Sequence, residues 1–152
     1  MDFEQLPPEI AALVTIQRHI TTVQKYLNII IGRVQSRSIE HDLSKLSKAE
    51  FVGFVELNHI RQNEVYGTPR YHALIEENRA VELHITKNSH HPEFYPLNGV
   101  DDMTILDWIE MVTDWKAGET YGSPIDLEHN KQRFNLSDNH MWLIRLILKE
   151  LE

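Results

Sequence analysis

Apolar residues recur at three- and four-residue steps through Ile10, Leu13, Val14, Ile16, Ile20, Val23, Leu27, Ile30, Ile31 and Val34. That spacing gathers them on one stripe and predicts a long amphipathic helix. Leu6-Pro7-Pro8-Glu9 reads as its entry, because proline is tolerated in a first helical turn, and Ser36-Arg37-Ser38 as its close. His41-Asp42 then falls at a short helix or turn. Ser47-Lys48-Ala49-Glu50 has the spacing of a capping box and predicts a new helix with Phe51, Phe54, Val55 and Leu57 on its apolar side. Asn63 to Gly67 reads as loop. Thr68-Pro69 supplies an N-cap and an N1 proline for a helix running to Lys87 or Asn88.

Residues 90–100 contain Pro92, Pro96 and Gly99 and read as an ordered loop. Asp101 or Asp102 should cap the next helix, whose stripe is Met103, Leu106, Ile109, Met111, Val112 and Trp115, with Gly118 as its stop. Ser123-Pro124 opens a shorter helix, and Ser137 the last one, which carries Leu143 to Leu151. No stretch alternates over enough residues to argue for a sheet, and no repeat or linker divides the chain. The expectation is an all-α fold, one domain over residues 1–152 with about six helices.

Composition narrows the chemistry. Hydrophobic content of 41% and charged content of 25% are ordinary for a globular protein, and 152 residues suffice for one core. With no cysteine in the chain, disulfides, thiolate metal sites and cysteine nucleophiles are excluded, so a metal must be held by His, Asp or Glu. A formal net charge of −8 repels extended nucleic acid but not a small nucleotide met at a metal centre. No run of 18 apolar residues suggests a membrane span, and Met1-Asp2-Phe3-Glu4 lacks the basic start of a signal peptide. A cytoplasmic location is the expectation.

Nine histidines are many for this length. In order with selected aspartates they read His19, His41-Asp42, His84, His90-His91, Asp114. Imidazole suits zinc and the transition metals, and a carboxylate can bridge two ions. Lys45 lies three residues after Asp42, a helical-neighbour offset from which its ammonium could reach a phosphate. Asp107, Glu110 and Asp114 fall on one helical face, where Glu110 could orient a histidine or a water. Each residue also has a plainer reading. His41-Asp42 alone could be a surface cap, His19 a half-buried helix residue, Asp107 and Glu110 structural or exposed. His59, His72, His129 and His140 read as surface or packing residues, Trp108, Trp115 and Trp142 as core, and Phe94-Tyr95 as a candidate pocket wall.

The order His, His-Asp, His, His-His, Asp resembles the HD superfamily of metal-dependent phosphohydrolases. The strings His41-Asp42-Leu43-Ser44-Lys45, His90-His91-Pro92-Glu93-Phe94-Tyr95 and Ile109-Glu110-Met111-Val112-Thr113-Asp114-Trp115-Lys116-Ala117 look like a small phage and bacterial family of HD-like proteins, over roughly residues 15–117. The resemblance implies an all-helical domain and one or two divalent ions (Mn, Mg, Co, Fe or Zn). It implies a first ion held by His19, His41, Asp42 and Asp114. A second would be held by His84 with His90 or His91, and Asp42 would bridge them. Lys45, Asp42 and Glu110 are the residues expected to serve catalysis. The expected activity is hydrolysis of a nucleotide or other small phosphate ester by metal-activated water. The same ligands would also suit an HD-type diiron oxygenase, or a metal-stabilised nucleotide-binding module without catalysis. The apolar C-terminal helix makes a homodimer a further expectation.

Overall fold

The computed structural model describes residues 7–65 and 67–152; Leu6, part of the expected helix entry, lies outside them. The described residues form seven α-helices, three of whose connections contain 3₁₀ turns, and no strand occurs among them. The chain divides into two units, Met1–His41 and Asp42–Glu152.

The first unit is helix α1, Pro8–Glu40, 33 residues long. Pro8 occupies the first turn, and Glu9 places a negative charge at the positive end of the helix dipole. Helix-weakening threonines are accommodated because Thr15, Thr21 and Thr22 donate back to the carbonyls four residues earlier. The serines near position 37 do not end it. Ser38 donates back to Gln35 O at 2.8 Å, and the helix continues until the His41 N–H donates to Arg37 O and Asp42 turns to φ 59°. Continuity has a consequence for the expected first ligand set. His19 and His41 stand 22 residues apart on one unbroken helix, about 33 Å at 1.5 Å per residue. They cannot share an ion within one chain, so the set of His19, His41, Asp42 and Asp114 around a single metal is corrected.

The second unit contains α2 (Phe51–Asn63), α3 (Pro69–Glu76), α4 (Arg79–Lys87), α5 (Ile105–Gly118), α6 (Leu127–Arg133) and α7 (Asp138–Lys149). Its core lies between α5 and α7. Trp108, Met111 and Val112 meet Met141, Ile144 and Ile147, closed by Val100, Met103 and Leu136. Burying these side chains supplies most of the stabilisation available to this unit, at about 1.5–3 kcal/mol each.

A second packing centre joins α2 to α4. Gly53 has no Cβ, and one placed there would stand 2.4 Å from the Ala80 Cβ. Only glycine permits this approach, which sets the start of α2 beside α4. Asn78 fixes the same junction: its Nδ2 donates to Gly53 O at 3.0 Å, and its Oδ1 accepts from the Ala80 and Val81 N–H groups. That cap breaks the single helix expected over Thr68–Lys87 into α3 and α4. The cap at Thr68 is where the sequence placed it, with Oγ1 accepting from Tyr71 N.

Other boundaries moved for equally local reasons. Asp101 and Asp102 lie in a 3₁₀ turn, and Thr104 caps α5 in a reciprocal capping box with Asp107. Gly118 is still helical, and the left-handed stop is Gly122 at φ 80°. Asp126, not Ser123, caps α6. Ser137 caps α7 as expected. Trp142 is exposed rather than in the core, whereas Trp108 is buried.

Candidate metal centre

Four segments of the second unit converge on one buried polar cluster: the turn after α1, the start of α2, the end of α4 with its following loop, and one face of α5. Asp42 opens the turn in the left-handed region, a conformation that costs energy for any side chain but least for Asn and Asp. A 3₁₀ turn over Leu43–Leu46 follows and brings Ser44 and Lys45 inward. Lys45 forms an ion pair with Asp42 Oδ2, and its ammonium lies 5.1 Å from the Phe54 ring centroid.

His84 occupies the last turn of α4 and is 2% exposed. Its Nδ1 lies 3.0 Å from Oε2 of Glu50, itself 3% exposed. Ser44 Oγ donates to the same carboxylate oxygen at 3.0 Å, and Asn88 Nδ2 donates to Ser44 Oγ at 3.2 Å. A carboxylate accepts, so a proton on Nδ1 would satisfy this contact and leave the Nε2 lone pair facing the cluster. Nε2 of His84 is buried with no hydrogen-bond partner, although Asp42 Oδ1 lies 3.0 Å away.

His90 repeats the arrangement. It is 3% exposed, its Nδ1 lies 3.2 Å from Glu110 Oε1 on α5, and its Nε2 lies 3.6 Å from Asp42 Oδ1. His91 completes the group. The ring centroids stand 5.0 Å apart for His84–His91 and 4.2 Å for His90–His91. One ligand nitrogen from each of the three rings falls within 4.8 Å of the others. Nε2 of His91 is also buried without a hydrogen-bond partner. Burial, then the neighbouring His90 and His84, push its pKa from 6.5 down to about 3, against a smaller upward pull from Asp114 and Asp42. His91 is therefore neutral at ordinary pH and able to act as a ligand.

The loop holding His90 and His91 is tied to α5 through Asp107, which is 1% exposed. Asp107 accepts from Ser89 Oγ (2.7 Å), Tyr95 Oη (2.8 Å), Thr104 Oγ1 (2.5 Å) and Thr104 N (2.7 Å). Burial raises its pKa, and these donors together more than offset that, leaving it below the usual carboxylate value. Asp107 is thus a buried clamp on the loop. Tyr95, expected as a pocket wall, contributes its hydroxyl to this clamp, and Phe94 packs edge-on against it at 4.9 Å.

The structure brings Asp42, Lys45, His84, His90, His91 and Glu110 together, with Asp114 close enough for its charge to act on His91. His41 precedes Asp42 and ends α1; His19 is an exposed residue of α1. Family comparison adds one fact: a profile for a family of unknown function, DUF5662, matches residues 9–150. The chain belongs to that family. No curated protein and no solved structure matches it. The family assignment spans every segment that builds the cluster and brings no activity with it, so function rests on the geometry.

Glu50 is the residue that sequence reading missed. Ser47-x-x-Glu50 fits a capping box, but Glu50 is the N-cap of α2 without a side-chain cap bond, and its carboxylate serves His84. The signal available in the sequence was Ser44, six residues upstream, which no local pattern connects to His84 forty residues on.

Two facts make a cation the fitting occupant. A histidine Nε2 bearing a lone pair and a carboxylate oxygen are both acceptors, and they face each other at 3.0 Å. Two ligands cis on one ion, each about 2.1 Å away, stand at about that separation. A buried, neutral His91 with an unsatisfied Nε2 adds a third donor to the same space. Imidazole-rich sets of this kind favour zinc and transition metals over magnesium.

Proposed function

We propose that the chain is a metal-dependent phosphohydrolase acting on a nucleotide or other small phosphate ester. The observation that carries the reading is the convergence of the His84, His90 and His91 rings on the Asp42 carboxylate, with Glu50 and Glu110 behind two of them. His84, His90, His91 and Asp42 would hold the ion, with Asp114 within electrostatic reach. A bound ion of this type would lower the pKa of a water ligand and polarise a phosphoryl oxygen.

The chain's own groups would do the rest. Glu50 and Glu110 keep Nδ1 of their histidines occupied, so that the Nε2 lone pairs stay inward. Lys45 keeps a positive charge beside Asp42, where a phosphate oxygen can exchange for the carboxylate. Asp107 holds the loop that carries two ligands. HD-like order in the sequence supports phosphate ester hydrolysis as the reaction class, and the net charge of −8 agrees with a small substrate rather than a polyanion. The three imidazoles also favour a second reading, an iron-dependent oxygenase, because iron is among the metals that such a set prefers.

The test is product analysis with purified protein and its Asp42→Ala variant. Each meets nucleoside mono-, di- and triphosphates with manganese, cobalt, iron or magnesium. Metal-dependent phosphate release, lost in Asp42→Ala, is expected. Undiminished turnover by metal-free Asp42→Ala would sink the proposal. Absence of cleavage together with a coupled diiron signal would transfer the site to oxygen chemistry.

A further inference from the structure

Helix α1 carries a second, independent feature. Leu13, Ile16, Ile20, Val23, Leu27, Ile30 and Val34 follow steps of three, four, three, four, three and four residues. Seven consecutive positions thus obey a strict heptad, with Leu13, Ile20, Leu27 and Val34 in one row and Ile16, Val23 and Ile30 in the other. No polar residue interrupts either row. An ideal helix turns every 3.6 residues, so a stripe serving a globular wall drifts by about 20° per heptad. A stripe held to 3.5 matches a second helix wound around the first.

All seven side chains are exposed, from 37% at Val34 to 60% at Leu13, and α1 contains no buried residue. Of the charged residues within the stripe's span, Arg18 and Lys25 occupy the position opposite both rows, and Arg33 flanks the first row beside Val34. No acidic residue occurs between Glu9 and Glu40. Two copies brought together along the stripe would therefore place no charge in either row, with Arg33 at its border and no acidic residue beside it. Seven side chains per copy, each losing on the order of 80–100 Å², reach about the 1,200 Å² at which stable specific interfaces begin.

We infer that α1 is a coiled-coil surface whose occupant is α1 of a second copy of this chain. The pairing uses Leu13 to Val34 and leaves Arg18 and Lys25 outward. β-branched residues fill the second row, a choice that disfavours a parallel two-stranded arrangement. The copies accordingly run antiparallel or assemble as more than two.

The chain lacks cysteine, which gives a clean test on the full-length protein. Val23→Cys puts a thiol in the seam and Lys25→Cys puts one on the outer face. Mild oxidation is expected to convert most of the Val23→Cys protein to a covalent dimer at micromolar concentration, and little of the Lys25→Cys protein. Sedimentation of the unmodified chain should give at least twice its 17.9 kDa mass. Ile20→Glu with Leu27→Glu should reduce that to the single-chain mass. A wild-type chain that sediments at 17.9 kDa with equal, low cross-linking at both cysteines would overturn the inference and leave the stripe to a surface of its own chain. Self-association that survives Ile20→Glu with Leu27→Glu, with equal cross-linking at the two positions, would assign the oligomer to another face and overturn it equally.

Discussion

Two buried polar clusters lie on either side of the loop that follows α4, and they are built differently. Around Asp107, one carboxylate receives four donors and every group is satisfied. Around Asp42, three histidine rings crowd together, and the Nε2 atoms of His84 and His91 are buried without a hydrogen-bond partner. A buried polar atom left unsatisfied costs about 1–3 kcal/mol. A native fold retains that cost where the atom meets something else, whereas the Asp107 cluster is complete as a structural device. The difference separates a site that holds the chain from a site that the chain holds ready.

The sharpest way to break this comparison is to remove one candidate ligand. His91→Leu deletes an unsatisfied nitrogen and keeps an apolar body of similar size. Metal binding, followed by titration calorimetry with manganese, cobalt or zinc, should be abolished. Metal-free stability should stay the same or rise by about 1 kcal/mol, as measured by urea unfolding. Were the unbound variant instead destabilised by 3 kcal/mol or more, His91 would be a packing residue and the ligand reading of this ring would fail.

Asp107→Asn attacks the other cluster and should do the reverse. An amide nitrogen replaces one acceptor among donors from Ser89, Tyr95 and Thr104, so metal-free stability should fall by about 2–3 kcal/mol. The effect carries a pH signature. Burial raises the Asp107 pKa, and the four donors bring it below the ordinary value of 3.8. The folded state therefore binds fewer protons than the unfolded state in this range. The stability that Asp107 contributes is fully present above pH ~4 and is lost as pH falls through the lower folded pKa. Urea midpoints of wild type and Asp107→Asn should consequently differ most near neutrality and converge on acidification. Parallel curves down to pH 3 would show that Asp107 does not act through its charge.

How much of this was legible in the sequence divides along the same line. The all-α architecture, the stripe of α1 and the caps at Thr68 and Ser137 are local patterns, and they stand as read. The order of His41-Asp42, His84 and His90-His91 marked the segments that meet. What was not legible depended on contacts between distant residues. Asn78 ends one helix and starts another because its amide reaches Gly53, 25 residues away. Asp107 read as structural or exposed, and only the loop folded over it decides for structural. His19 looked like a partner of His41 because spacing in sequence says nothing about whether the helix between them is broken. Glu50 was hidden by a pattern that fitted it too well.

The finest test of the metal centre is therefore Glu50→Gln. Glutamine keeps the shape and one acceptor oxygen for Ser44 and His84, and loses the negative charge. The fold should tolerate it, with metal-free urea unfolding shifted by less than about 1 kcal/mol. His84 should become a poorer ligand, because its Nδ1 proton no longer faces a charge, and metal affinity should drop by about 10- to 100-fold. Nitrogen-detected NMR of the histidine rings gives a readout that packing alone would not move. In the wild type, His84 should be protonated at Nδ1, and in Glu50→Gln a fraction of the Nε2–H tautomer should appear. Unchanged affinity with an unchanged tautomer would reduce Glu50 to a filler of the α2–α4 junction. A changed tautomer with lowered affinity would make the carboxylate behind the ring the feature that keeps the His84 Nε2 available, and so explain why this cluster, unlike the one around Asp107, remains unsatisfied from within.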